Sequence, residues 1–271
     1  MIVVCIGSRF YQNCNTRRSL SLAGYWIILF LAPLWNSLLM GSSLAASGTL
    51  EQADRLLLDP NVDQAKAVQA FTIYESLLPT EGAARLPVLE RLARAAFFVG
   101  DLAEKGQRRL YYEQGRTYAQ TMIQEFPHRV EGHYWLGMNL AGLADASRLQ
   151  GMRLLPQILA ALERSASLDA AYDQAGAYRV LGRIYYEAPG RPFSVGDINK
   201  SFDLLTKATA LAPANSTNRL YLAETLIKLN QRDQAQAELR QVLTASQNAD
   251  GPRGLAADQR KAEELLHKLS Q

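Results

Sequence analysis

AYRVLGRIYYEAPGRPFSVGDINKSFDLLTKATALAP, residues 177–213, decides the fold. Its first part places Tyr178, Leu181, Gly182 and Tyr185 at i, i+3, i+4 and i+7, one face of a helix. Its second part does the same with Ser201, Leu205 and Ala208. Pro213 follows and ends that helix, because proline cannot continue one. The spacing predicts two helices packed side by side. Gly182 is small enough to let the second helix lie close on the first, and Leu181, Leu205 and Ala208 fill the space between. Between the helices lies APGRPFSVGD, about seven residues more than such a unit needs.

The unit repeats. Ser201, Leu205 and Ala208 recur 34 residues on as Ala235, Leu239 and Val242. Leu181 and Gly182 recur 41 residues on as Leu222 and Ala223, and the difference of seven is the inserted loop. A period of 34 with these anchors is the tetratricopeptide pattern, with Tyr178 where the motif has Trp. Ala67, Phe71, Tyr74 and Pro79 fit a second helix of the motif, as do Gly115, Ala119, Met122 and Pro127. His133, Leu136, Gly137 and Leu140 fit a first helix, partnered by residues 152–168, whose start Pro156 should limit. The expected fold is all-α: a tetratricopeptide-type helical solenoid of about five helix pairs over residues 47–271. The 48-residue spacing from Pro79 to Pro127 implies longer helices in the second pair. Residues 256–269 read as a polar-faced capping helix, preceded by a turn at 250–254.

Ahead of this array, residues 20–40 form a run without charge, preceded by Arg17 and Arg18 and followed by GSSLAAS. Residues 1–46 therefore read as an export signal or a membrane anchor, and both readings stay open. Pro33 and Asn36 weaken a span. Either reading places the folded part outside the cytoplasm, in the periplasm or cell envelope, with membrane association through the leader if it is uncleaved. The net charge of +3 comes from the leader, which carries Arg9, Arg17 and Arg18 and no acid. The remainder has 26 basic and 26 acidic residues, so it offers nucleic acid no overall attraction. Cys5 and Cys14 also lie in the leader, leaving the array without a disulfide or a thiolate metal site.

No catalytic group stands out. His128, His133 and His267 lack metal-ligand spacing, no phosphate-cradling glycine loop is present, and no cofactor is expected. What remains is the concave face of the array, built by first-helix residues that are not packing anchors. Tyr134, Arg179, Arg183, Tyr186 and Glu224, with Trp135, Asn139 and Asn218 close by, are the candidate binding residues. Residues 189–196 are expected to form an ordered loop anchored by Phe193, with Arg191 as its charged contact to that groove.

The block 132–245 resembles the T component of TRAP transporters, extracytoplasmic tetratricopeptide proteins linked to a solute-binding partner. HYWLGMNL (133–140), the segment 177–197 and NRLYLAE (218–224) carry the resemblance, and APGRPFSVGD is its most specific part. It implies a non-enzymatic protein that binds a periplasmic solute-binding protein or an apolar small molecule. The leader departs from the family in having no cysteine after its apolar run for lipid attachment. The other function open to such an array is a general cell-envelope assembly scaffold that binds a partner peptide.

Overall fold

The computed structural model describes residues 48–271, apart from 60, 249 and 250. The leader, with its apolar run and both cysteines, lies outside the described residues. Among the described residues there are eleven helices and no strand, and no helix is long and apolar enough to cross a membrane. Ten helices form five antiparallel pairs: α1 (Leu50–Leu57) with α2 (Gln64–Ser76), α3 (Arg85–Leu102) with α4 (Lys105–Glu125), α5 (Val130–Ala146) with α6 (Arg148–Leu168), α7 (Tyr172–Glu187) with α8 (Ile198–Leu211), and α9 (Ser216–Lys228) with α10 (Arg232–Thr244). The eleventh, α11 (Gly251–Leu269), follows the last pair.

The helix ends have local causes. α2, α4, α7 and α8 stop two or three residues before Pro79, Pro127, Pro189 and Pro213. Four starts are capped by side chains that accept an orphan amide: Thr49, Asp63, Asp197 and Asn215. Within pairs, small residues set the approach. A Cβ on Gly182 would lie 2.6 Å from Leu205 Cγ, and one on Gly137 would lie 2.7 Å from the Leu162 side chain. The anchors that recur at the 34-residue period are all fully buried: Ser201, Leu205, Ala208, Ala235, Leu239 and Val242. The second pair is the long one, with helices of 18 and 21 residues.

Two expectations are corrected. Pro156 does not limit α6, which starts at Arg148 and carries the proline inside. Leu155 beside it is buried in the core, and Gly151 lies against the Ala144 carbonyl, so packing holds the turn that the missing amide weakens. Residues 251–254 of the turn expected at 250–254 belong to α11 instead. Gly251 takes a left-handed φ of 71°, and Pro252 follows it in the first turn, where its missing N–H costs nothing.

α11 caps the array by placing Ala262 with Leu220, Ala223, Leu239 and Val242. Its start reaches further. Arg253 donates to the carbonyl of Val62, between α1 and α2, at 2.9 Å. The array therefore curves enough for its last helix to touch its first connection.

Candidate functional site

The first helices of successive pairs carry a row of polar side chains, and the structure buries it. Tyr134, Trp135, Asn139, Arg179, Arg183, Asn218 and Glu224 are all buried, so they do not line an open groove. Their partners explain why. Trp135 donates to the Tyr172 hydroxyl, which donates to Glu90 of α3. Tyr134 donates to Asp173, which also takes Arg179 at 2.7 Å. Asn139 ties α5 to α3 through the Ala93 carbonyl, and Gly115 of α4 crosses so close that a Cβ would lie 2.0 Å from Asn139 Oδ1. Most of these bonds join neighbouring repeats, and Tyr172–Glu90 reaches from the fourth repeat to the second, in a stack that apolar contacts alone would leave free to slide.

Arg179 has a second task. Asp173, Gln174 and Ala175 hold φ of 50°, 56° and 61°, three consecutive non-glycine residues in the left-handed region. Each such residue costs about 1–2 kcal/mol. The carbonyls this turn exposes are taken up by buried donors: Arg179 donates to Asp173 and Gln174, and Asn218 Nδ2 donates to Gln174. Asn215 binds the Gln174 side chain at 2.6 Å. Residues of α9 thus hold the entry of α7.

Arg183 is 2% exposed. Its guanidinium pairs with Glu224 and lies 2.5 Å from Glu187, between the rings of Tyr186 and Tyr221 at 4.8 and 4.6 Å. Burial works against its charge, but Glu224 and Glu187 outweigh it and hold the proton more firmly than usual. Burial also pushes the Tyr221 hydroxyl up to about 12. At the end of the row Asp258 of α11 accepts from Ser216, Thr217 and Asn248, each at 2.7 Å. Burial raises its carboxyl above the usual range, and the two hydroxyls offset only part of that.

The loop at 189–196 is ordered by its own backbone. Gly196 donates to the Pro189 carbonyl, Phe193 and Ser194 donate to that of Gly190, and Asp197 donates to Tyr185. Gly196 has no room for a side chain, since a Cβ would lie 2.0 Å from the Ala188 carbonyl. Phe193 is not the anchor. It is 81% exposed, and Val195 packs on the core instead. Arg191 is exposed, and Tyr186 is half-buried under Lys228.

Beside this loop a cavity of about 220 Å³ opens between α6, α7 and α8. Leu181, Leu204 and Ala166 line it with Tyr178 and Tyr185, while Glu163, Ser167 and Lys200 supply polar groups. Loop and cavity share Tyr185, whose ring lines the cavity and whose carbonyl holds the loop's exit. Sequence reasoning assigned Tyr178, Leu181 and Tyr185 to packing. Their spacing did reveal one face of a helix, but not that the edge of that face stays open.

A family model described as regulator of microtubule dynamics protein 1-3 matches residues 49–188, just over half of the chain. The chain belongs to that family. The family match runs from the cap of α1 through α7, and the inserted loop begins where it ends. A tetratricopeptide repeat model matches residues 193–258. The crystal structure of a thermophilic tetratricopeptide protein from Thermus thermophilus superposes with a TM-score of 0.58 at 19% identity. It covers 80% of this chain and 100% of its own, which shows a shared fold. No curated protein matches the chain. The TRAP-transporter resemblance gains no support from these matches beyond the tetratricopeptide fold itself.

Proposed function

We propose that this protein is a non-enzymatic scaffold that binds a partner protein through its fourth repeat. The observation that carries this reading is the pairing of an exposed Phe193, on a loop fixed by its own hydrogen bonds, with the adjoining cleft of Tyr178, Leu181, Tyr185 and Leu204. A lone exposed aromatic is ordinary on a protein surface. One carried on an already ordered backbone beside an open apolar cleft has the makings of a binding hot spot, because little backbone freedom remains to be lost on docking. Exposed Arg191 lies on the same loop. The cavity also weighs against the small-molecule reading, since sites for such ligands span roughly 300–1,000 Å³.

The leader supports a location outside the cytoplasm: an arginine pair, an uncharged run at 20–40 and small residues after it. On a finer reading the partner is an extracytoplasmic solute-binding protein, and the inserted APGRPFSVGD favours it. Affinity capture from native envelope with the wild type and with Phe193→Ser tests the scaffold reading. The partner should be lost from the variant while its helical content stays the same. Equal capture by both would remove Phe193 from the surface.

A further inference from the structure

We infer that the cleft between α6, α7 and α8 is a docking site for an extended acidic peptide segment, with an apolar side chain at its centre and a carboxylate two residues to either side. This inference rests on the scaffold reading above and names the partner's chemistry.

The first argument is size. A cavity of about 220 Å³ floored by Leu181, Leu204 and Ala166 and walled by Tyr178 and Tyr185 holds one large side chain rather than a whole small ligand. Another cavity, lined by Asp54, Glu90, Arg91 and Arg94 with Leu57, Leu58 and Tyr74, lacks this character. It is polar, and Arg91 is already engaged by Asp54 at 2.9 Å.

The second argument is charge. On α8, Lys200, Leu204 and Lys207 stand at i, i+4 and i+7, so they share a face with the apolar residue between the two cations. Lys200 Nζ lies 4.1 Å from the centre of the Tyr185 ring and donates to its hydroxyl at 2.6 Å. Lys207 Nζ lies 5.9 Å from the Tyr178 ring. Neither lysine forms an ion pair among the described residues. Glu163, on the facing helix α6, is the carboxylate at this cleft. The α8 side of the cleft therefore presents two cations that form no ion pair among the described residues, with Glu163 across the cleft and Asp203 between them on α8 as the nearby carboxylates.

The third argument is spacing. Seven helical residues separate the lysine Cα atoms by about 10 Å. In an extended strand, residues i−2, i and i+2 point to one side, and the outer two are about 13 Å apart. Lysine side chains are long enough to span the remaining few ångströms. An acidic–x–apolar–x–acidic segment can then place its centre over Leu204 and one carboxylate at each lysine. Lys200 is already held on the Tyr185 ring and its hydroxyl before the ligand arrives, while Lys207 lies near the Tyr178 ring and keeps more freedom.

The test uses full-length protein in mild detergent and a fluorescein-labelled peptide, Ser-Glu-Ser-Phe-Ser-Glu-Ser, followed by anisotropy. Binding is expected, and it should weaken as salt is raised. Exchanging the Phe of the peptide for Ala, or its Glu residues for Lys, should weaken binding roughly tenfold or more. The double variant Lys200→Glu/Lys207→Glu should do the same, and it should favour the Lys peptide. Equal binding of all three peptides, no binding, or an unchanged double variant would overturn the inference. So would selective binding of phosphatidylserine vesicles through these lysines without any peptide preference. Phe193→Ser separates the two levels, because Phe193 does not line the cleft. It should leave the peptide's affinity within about twofold even where it abolishes capture of the partner. Loss of the peptide result alone removes the acidic segment and leaves the scaffold reading standing.

Discussion

Arg183 shows how a residue chosen for a binding face can belong to the frame. It is enclosed by Glu224, Glu187, Tyr186 and Tyr221, and its charge is fully matched inside the array. Replacing it by Met leaves two carboxylates without their shared cation, Glu224 almost buried and Glu187 partly so. Arg183→Met should cost about 3–5 kcal/mol in urea denaturation, the usual price of breaking a buried pair from one side. Loss of under about 1 kcal/mol would mean that water reaches the pair. Gly182 gives the steric counterpart. Gly182→Leu forces a branched side chain into the Leu205 contact and should cost at least about 1–3 kcal/mol. Gly106→Ala in α4 meets open space and should be neutral or stabilising, which makes it the control. Asp258 gives a pH signature. Its folded pKa lies above the ordinary 3.8, so between those two values the folded chain holds the extra proton. Its contribution to stability is full below 3.8 and is lost as pH rises through the folded value. Asp258→Asn removes that dependence. The stability of the variant relative to wild type should rise in denaturation series as pH climbs from about 4 through the folded pKa of Asp258. A flat difference would show that Asp258 titrates normally.

At the scale of elements, the pairs were legible because their signals are local: a small residue with an apolar partner one helix later at Gly137 and Gly182, and a proline after α2, α4 and α8. The site was less legible. The motif marks which side of a first helix turns away from its own partner, and Tyr134, Arg179 and Glu224 were chosen on that ground. It does not reveal that Tyr172 and Asp173 at the start of α7 meet Tyr134 of α5, or that Glu224 of α9 pairs with Arg183 of α7. Spacings of 39 to 44 residues separate many of the bonded partners, close to the repeat length plus the insertion, so adjacency of repeats is encoded but bond identity is not. The loop was read correctly as ordered, yet with the wrong anchor. Phe193 is the larger apolar side chain, but the closure of the backbone at Gly190 and Gly196 turns Val195 inward instead. α11 is the element with the widest effect. Removing residues 251–271 uncovers Leu220, Ala223, Leu239 and Val242 and strips Ser216 and Thr217 of their acceptor. Such a truncation should raise amide exchange in α9 and α10 well above that in α3 to α5. Uniform protection along the chain would contradict the capping role.

Across the whole molecule, a polar row runs from Glu90 through Tyr172, Asp173, Arg179 and Asn218 to Asn215, and Asp258 continues it at Ser216 and Thr217. Arg253 then joins the last helix to the first connection. The first helices of the later repeats are committed to each other, which moves the open surface to the fourth repeat's loop and cleft. The most direct test of that claim is site-specific photo-crosslinking in the native cell. The photoreactive residue is placed in turn at Phe193, at Tyr178 and at exposed Leu110 of α4. The account predicts one common partner captured from Phe193 and Tyr178 and not from Leu110. Capture from Leu110 alone, or no shared partner between Phe193 and Tyr178, would contradict it.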